Sequence, residues 1–317
     1  MEKEQRKILE QELLRAPHVQ RDLPGNKMIS KKELSEEKIK VLDQIGLIAL
    51  DLDRTTLTKE GLTKGTKECL EEAIHRGIQV VIATGRPFVA LPDEVKAING
   101  LDYVIVSNGA HIVDLGSGEF IFSDYMASDA SAWVRDYLYK AGFTIEIFTE
   151  GAAFIGQDKY DYYKSNFGVI DGAEYIVRTR KPVDDIWKFW DEHVDKIENI
   201  NIHFTDQNDR ARLRDELLAN EDKGYTLTSS MSYNLEIGGA NTSKANGLKE
   251  FSTISGIPLE RTMCFGDSPN DKAMIAESGF GVAMGNAVQP LKDEADYITT
   301  GVREDGIYRA CEHLGLF

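Results

Sequence analysis

Short apolar runs alternate with helical patterns from Leu47 onward, stop, and start again roughly 110 residues later, and few folds accommodate that order. The first block reads as strand 47–50, helix 66–76, strand 79–83, a helix after Pro87, and strand 103–106. That is a βαβαβ unit, which requires a parallel sheet with helices on both faces. Runs 111–115 and 119–123, joined by Gly116-Ser117-Gly118, read as a hairpin. The rhythm returns with helix 244–255, strand 262–265, helix 271–277, strand 281–284 and helix 287–294.

The intervening stretch has a different grammar: helix 128–141, strands 143–149 and 152–156, helix 183–194, strand 199–204, helix 210–218, and strands 225–229 and 233–237. Connections within one sheet are short, so an insertion of this length reads as a second, α+β domain. The expectation is a Rossmann-like α/β core at 44–125 and 238–317, interrupted by an inserted cap domain at 126–237. Residues 1–43 are expected to form a charged leader, helical or flexible, with Ile8, Leu9 and Leu13 as a sparse apolar stripe. Trp187 and Trp190, at helical spacing, suit the core of the insert.

Chemistry-bearing residues fall just past the strands of the core. The run 47–50 ends in Asp51 and Asp53, which share one side of the strand's C-terminal end, where open parallel sheets bind ligands. Asp and Thr at a strand end are also ordinary turn and capping residues. A calcium-loop reading fails on Thr56 and Leu62, where an EF-hand needs Gly and Glu. Three further features occupy equivalent places: Thr84-Gly85-Arg86 after 79–83, Lys244 opening a helix, and Gly266-Asp267-Ser268-Pro269-Asn270-Asp271 after 262–265. Asp51, Asp267 and Asp271 with a backbone carbonyl make a hard oxygen site suited to Mg²⁺. A carboxylate nucleophile and a phosphate repel one another, and Mg²⁺ and the Lys244 ammonium offset that repulsion, while the hydroxyl and amides of Thr84-Gly85 suit the remaining phosphoryl oxygens.

The charge balance fits local rather than general anion binding. There are 37 basic against 53 acidic residues, a formal net of −16, which disfavours nucleic acid and anionic membranes as partners. Three dispersed cysteines, Cys69, Cys264 and Cys311, argue against a disulfide framework or a zinc cluster. With no signal-peptide pattern at the N-terminus and no run of roughly 18 apolar residues, a cytoplasmic protein is expected.

Together, Asp51-Leu-Asp-Arg-Thr55, Thr84-Gly-Arg86, Lys244 and Gly266-Asp-Ser-Pro-Asn-Asp271 resemble the four motifs of the haloacid dehalogenase-like superfamily, most closely its Cof-type phosphatases. The run Ser107-Asn-Gly-Ala110 before a hairpin is similar to that subfamily as well. The resemblance implies that Asp51 attacks phosphorus and that Asp53 serves as acid and then base. It further implies phosphate binding by Thr84, Gly85, Lys244 and Asn270, and metal binding by Asp51, Asp53 through its carbonyl, Asp267 and Asp271. Asn270 would support the loop, and Asp271 would position Lys244 or a metal-bound water.

Arg54 departs from the pattern, which has Gly there; its guanidinium is expected to reach toward the phosphate or the cap. Arg54, Arg86 and Asn108 are therefore candidate substrate contacts, and Tyr160, Tyr162, Lys164, Arg178, Arg180 and Tyr233 are those of the insert. The implied activity is hydrolysis of small phosphomonoesters, of sugar or nucleotide type. A sugar phosphomutase using the same nucleophile, and a non-catalytic regulatory binding protein, are the alternatives. Oligomeric state is left open.

Overall fold

A computed structural model describes residues 34–170 and 172–317. The stripe of Ile8, Leu9 and Leu13 lies outside these residues. Helix Glu36–Leu42 is capped by Ser35, buries Leu42, and ties itself to the far end of the sheet through Lys38, whose Nζ lies 2.6 Å from Asp296 and donates to the Gly279 carbonyl at 2.8 Å.

The chain then enters β1 (Leu47–Asp51), the small ribbon β2 (Leu57–Thr58) and β3 (Gly61–Leu62), helix Lys64–His75, β4 (Gln79–Ala83), β5 (Tyr103–Val106), β6 (His111–Asp114) and β7 (Phe120–Ser123). After Pro87 the expected helix is reduced to a 3₁₀ turn, Phe88–Ala90, and the single turn Asp93–Lys96. Pro92, extended between them, prevents one continuous helix.

The inserted part comprises helix Ser128–Ala141, β8 (Ile145–Thr149), β9 (Ala152–Gly156), helices Gln157–Ser165 and Ala173–Thr179, β10 (Arg180–Val183), helix Ile186–Glu192, β11 (Ile197–His203), helix Gln207–Leu218, β12 (Tyr225–Thr228) and β13 (Asn234–Gly239). Helix Lys244–Ser255, β14 (Thr262–Gly266), helix Lys272–Glu277, β15 (Phe280–Ala283), helix Gln289–Lys292, β16 (Tyr297–Ile298) and helix Gly306–Leu314 complete the chain.

The larger sheet has the order β16-β15-β14-β1-β4-β5-β6-β7. Pairing is parallel from β16 to β5; β6 and β7 add an antiparallel edge. All five residues of β1 and of β14 are buried, as central strands of a sheet covered on both faces must be. The chain leaves β1 toward β4 and leaves β14 toward β15, in opposite directions. Right-handed crossovers in opposite directions put helices Lys64–His75 and Lys272–Glu277 on opposite faces. A crevice opens at such a switch point, outside the C-terminal ends of β1, β4 and β14.

The second sheet, β10-β9-β8-β11-β13-β12, is mostly antiparallel and has a core of its own. One face carries Ile147, Ile200, Ile202, Leu235 and Ile237 against Val134, Leu138, Leu213 and Leu217 of the helices. Trp190 is fully buried there and donates to the Ser131 hydroxyl at 2.9 Å. Strand alternation turns Glu146, Asn201, His203, Asn234 and Glu236 to the other face. Two helices and β10 were not foreseen in this part, and the helix expected at 183–194 is shorter because Asp185 caps it at Ile186. Pro182 is tolerated in β10 because that strand is an edge, paired only with β9.

The two chain crossings lie side by side: Met126 donates to the Ile197 carbonyl at 2.8 Å, and a Cβ on Gly239 would approach the Met126 backbone to 3.3 Å. No helix among the described residues is long and apolar enough to cross a membrane.

Candidate active site

Asp51 closes β1, and Asp267 and Asp271 follow β14, so the sheet delivers all three carboxylates to the crevice. Their ligand atoms lie within 4.8 Å of one another, and all three side chains are buried. The loop that achieves this is tightly made. Asp271 Oδ2 accepts from the backbone N–H groups of Asp267 (3.0 Å) and Ser268 (2.9 Å), and a Cβ on Gly266 would sit 2.5 Å from that of Asp271. On the β1 side, the Thr56 hydroxyl donates to the Asp51 carbonyl at 2.6 Å and the Thr55 hydroxyl to Asp267 Oδ1 at 3.3 Å.

Lys244 is the first residue of its helix, which Ser243 caps by accepting from Asn246. Its ammonium is buried and bridges Asp51 Oδ1 (2.5 Å) and Asp271 Oδ1 (2.7 Å). Burial alone would lower the Lys244 pKa, but the charges of Asp271 and Asp51 raise it well above the ordinary lysine range, so it remains an ammonium. Burial, then the Asp271 charge, push the Asp51 carboxyl up against the pull of Lys244. Asp267 is raised to about 6, chiefly by burial, with Arg54 opposing and Asp271 reinforcing the shift. Such a cluster of buried like charges is relieved by a hard divalent cation. The donors fit one: three carboxylates converge, and Asp267 Oδ2 is buried with no hydrogen-bond partner.

Arg54 stands beside this cluster. Its φ is +66°, a left-handed conformation, and its Nη2 lies 3.3 Å from Asp267 Oδ2. The guanidinium thus meets a carboxylate of the cluster rather than the inserted sheet.

Asp53 points elsewhere. Its carboxylate is outside the three-acid group and accepts from both Nε (2.9 Å) and Nη2 (2.5 Å) of Arg86. The Arg86 guanidinium lies 4.9 Å from the Tyr175 ring, and that ring in turn lies 4.8 Å from Arg180. Arg180 is paired with buried Glu146 at 2.8 Å. Burial would raise Glu146, but the Arg180 charge, with His203, holds its carboxyl well below the usual range.

Thr84 is buried behind the crevice: its N–H donates to the Ile105 carbonyl (2.8 Å), and its hydroxyl accepts from Arg86 N–H (3.1 Å). Gly85 leaves room for Asn108, whose Oδ1 a Cβ there would approach to 3.1 Å. Asn108 and Ser107 both have left-handed φ, +56° and +51°. This turn is gripped from the inserted sheet: Glu236 accepts from Asn108 Nδ2 at 2.5 Å, and fully buried Glu198 accepts from the Ser107 hydroxyl and from the Gly151 N–H, both at 2.6 Å, and faces His111 Nε2 at 2.9 Å. Asn270 donates to Asn108 Oδ1 at 3.1 Å.

The structure therefore gathers Asp51, Lys244, Asp267 and Asp271 into one cluster with Arg54 at its rim. Asp53 with Arg86 forms a second group, and Asn108 with Asn270 a third. Of the residues singled out in the insert, Arg180 joins the second group, Tyr160 donates to the Val177 carbonyl, and Tyr162 is exposed. Glu146, Tyr175, Glu198 and Glu236 were not anticipated. Each bonds across more than thirty residues or stacks on a distant arginine, and no local pattern records that.

A family model described as haloacid dehalogenase-like hydrolase matches residues 48–311. A Bacillus subtilis 5-amino-6-(5-phospho-D-ribitylamino)uracil phosphatase is 29% identical over 273 residues, 85% of this chain and 95% of the relative. A Klebsiella pneumoniae HMP-PP phosphatase is 28% identical over 256 residues, 80% of this chain and 88% of the relative. A solved phosphatase of the haloalkanoate enzyme superfamily from Bacteroides thetaiotaomicron superposes with a TM-score of 0.71 at 26% identity, covering 86% of this chain and 96% of its own.

Proposed function

The chain belongs to the haloacid dehalogenase-like hydrolases, and from that premise we propose that it is a Mg²⁺-dependent phosphatase of small phosphorylated metabolites, acting through an aspartyl-phosphate on Asp51. The observation that carries the reading is the Asp51 carboxylate at the sheet's switch point, held 2.5 Å from a buried ammonium and grouped with Asp267 and Asp271.

Asp51 Oδ attacks phosphorus while the bond from phosphorus to the ester oxygen breaks, and Asp53 donates a proton to the departing alkoxide. Water then attacks the acyl phosphate, Asp53 takes its proton, and inorganic phosphate leaves with Asp51 restored. Lys244 stays charged throughout and offsets the repulsion between carboxylate and phosphate. Asp51, Asp267 and Asp271, with the Asp53 carbonyl, would hold the metal, which would supply the rest of that charge compensation. Thr84 and Gly85 offer phosphate contacts, with Asn270 and Asn108 behind them. For Asp53 to carry a proton its ion pair with Arg86 must open, and Arg86 is stacked on Tyr175 of the insert; residues 126–237 then act as a cap whose movement bears on the acid.

The leaving group is proposed to be polyhydroxylated, of sugar or nucleotide type, because the insert turns a polar face of Glu146, Asn201, His203 and Asn234 rather than an apolar one toward the side bonded to Asn108. A panel of phosphorylated metabolites assayed for phosphate release, with Mg²⁺ and with EDTA, tests the proposal. Release that requires Mg²⁺ supports it; equal release in EDTA refutes the metal assignment.

A further inference from the structure

Arg54 is held by its main chain in a conformation that only glycine adopts freely. Its N–H donates to the Leu57 carbonyl and its carbonyl accepts from Asn286 Nδ2, both at 2.9 Å, with φ at +66°. The loop so fixed aims the side chain at Asp267 Oδ2, 3.3 Å from Nη2. That contact leaves both partners incompletely satisfied. Arg54 Nε and Asp267 Oδ2 are buried without a hydrogen-bond partner, whereas Asp267 Oδ1 is engaged by Thr55.

The charges explain why the contact exists. Lys244 is in contact with Asp51 and Asp271, and the cation in contact with Asp267 is Arg54. The same Asp267 oxygen is the free acceptor on which the metal-site reading relies. Two cations therefore have a claim on one atom, and Arg54, whose side chain is a third exposed, is the one that reaches the cluster from the solvent side.

We propose that Arg54 is a placeholder cation: it occupies Asp267 while no metal is bound, yields that oxygen when the metal arrives, and turns to the phosphoryl oxygens of the substrate. Metal occupancy and oxyanion affinity are then coupled through one side chain, as any effector that shifts another's affinity must be reciprocally. A guanidinium suits the second position because its fork matches phosphate oxygens. The inference rests on the metal-dependent phosphatase reading for the location of the metal at Asp267.

The test uses the full chain stripped with EDTA, wild type against Arg54→Gly, a substitution the φ of +66° accommodates without strain. Calorimetric titration with Mg²⁺ alone should show about tenfold tighter binding to Arg54→Gly, and titration of the Mg²⁺-loaded proteins with tungstate about tenfold weaker binding. Crystals grown with Mg²⁺ and tungstate should show the wild-type guanidinium on the oxyanion and away from Asp267. Equal Mg²⁺ affinities, or a guanidinium still on Asp267 with the metal bound, overturn the handover and leave the phosphatase reading intact. Failure of both proteins to bind Mg²⁺ overturns the metal site itself, and the handover with it.

Discussion

Replacing Lys244 by Met keeps the side chain's length and apolar stem while removing the ammonium that bridges Asp51 and Asp271 at 2.5 and 2.7 Å. The site is buried, so the two carboxylates cannot recover their lost partner from solvent. Removing one member of a buried ion pair costs about 3–5 kcal/mol, because the other is left uncompensated. Asp271 keeps its two backbone N–H donors, which places the cost toward the lower end, about 3 kcal/mol. For a chain of 317 residues, at about 2.1 cal/mol/K of unfolding entropy per residue, that is a fall in Tm of roughly 4–5 °C.

The coupling is specific and can be isolated. In an Asp51→Asn background one of the two stranded charges is already gone, so Lys244→Met should cost at least about 1 kcal/mol less than in wild type. Scanning fluorimetry and urea unfolding of the four proteins in EDTA give the cycle. Additivity within about 0.5 kcal/mol would show that Lys244 and Asp51 do not share a charge in solution, and the electrostatic account of the cluster would be wrong.

Three further outcomes follow from the same geometry. Asp53→Asn should lower kcat on alkyl phosphates by about 10²–10⁴-fold, with a smaller loss in the first, burst-phase transfer from p-nitrophenyl phosphate, whose leaving group needs no proton; equal losses on both would remove Asp53 from the acid role. Arg180→Met should destabilise the protein by about 3 kcal/mol at pH 7 by stranding Glu146. Because Arg180 depresses the Glu146 pKa, its stabilisation is complete above the unfolded value near 4.3 and is lost as pH falls toward the lower folded value, so the deficit of the variant should shrink in urea titrations below about pH 4.5. A deficit that stays constant from pH 7 to pH 4 would contradict that assignment.

Much of the core was legible because its signals are local. A buried parallel strand such as Leu47–Asp51 is a continuous apolar run up to its last residue, so Asp51, the first polar residue, already stands at the ligand edge. Asp267 and Lys244 were legible for the same reason, each standing at the first position past an element boundary. Helix Gln157–Ser165 was missed because it buries none of its residues and so has no apolar period to read. Strand β10 was missed because Arg180, Lys181 and Pro182 deny it the look of a strand, although an edge position tolerates all three. The target of Arg54 was open between phosphate and cap, since the motifs bring Asp267 into the site but do not say which way a side chain leaving a backbone at φ +66° is aimed. Glu198 and Glu236 look like ordinary strand glutamates until the fold sets them against Ser107 and Asn108.

The central claim is that Asp51 becomes covalently phosphorylated. Asp53→Asn should slow hydrolysis of the intermediate, so acid-quenching that variant within seconds of mixing with p-nitrophenyl phosphate and Mg²⁺, then digesting and weighing the peptides, tests the claim directly. The account predicts one added phosphoryl group on the peptide containing Asp51, absent when Asp51 is also changed to Asn. Phosphate release by Asp51→Asn at an undiminished rate, or a phosphoryl group found on another residue, would contradict it.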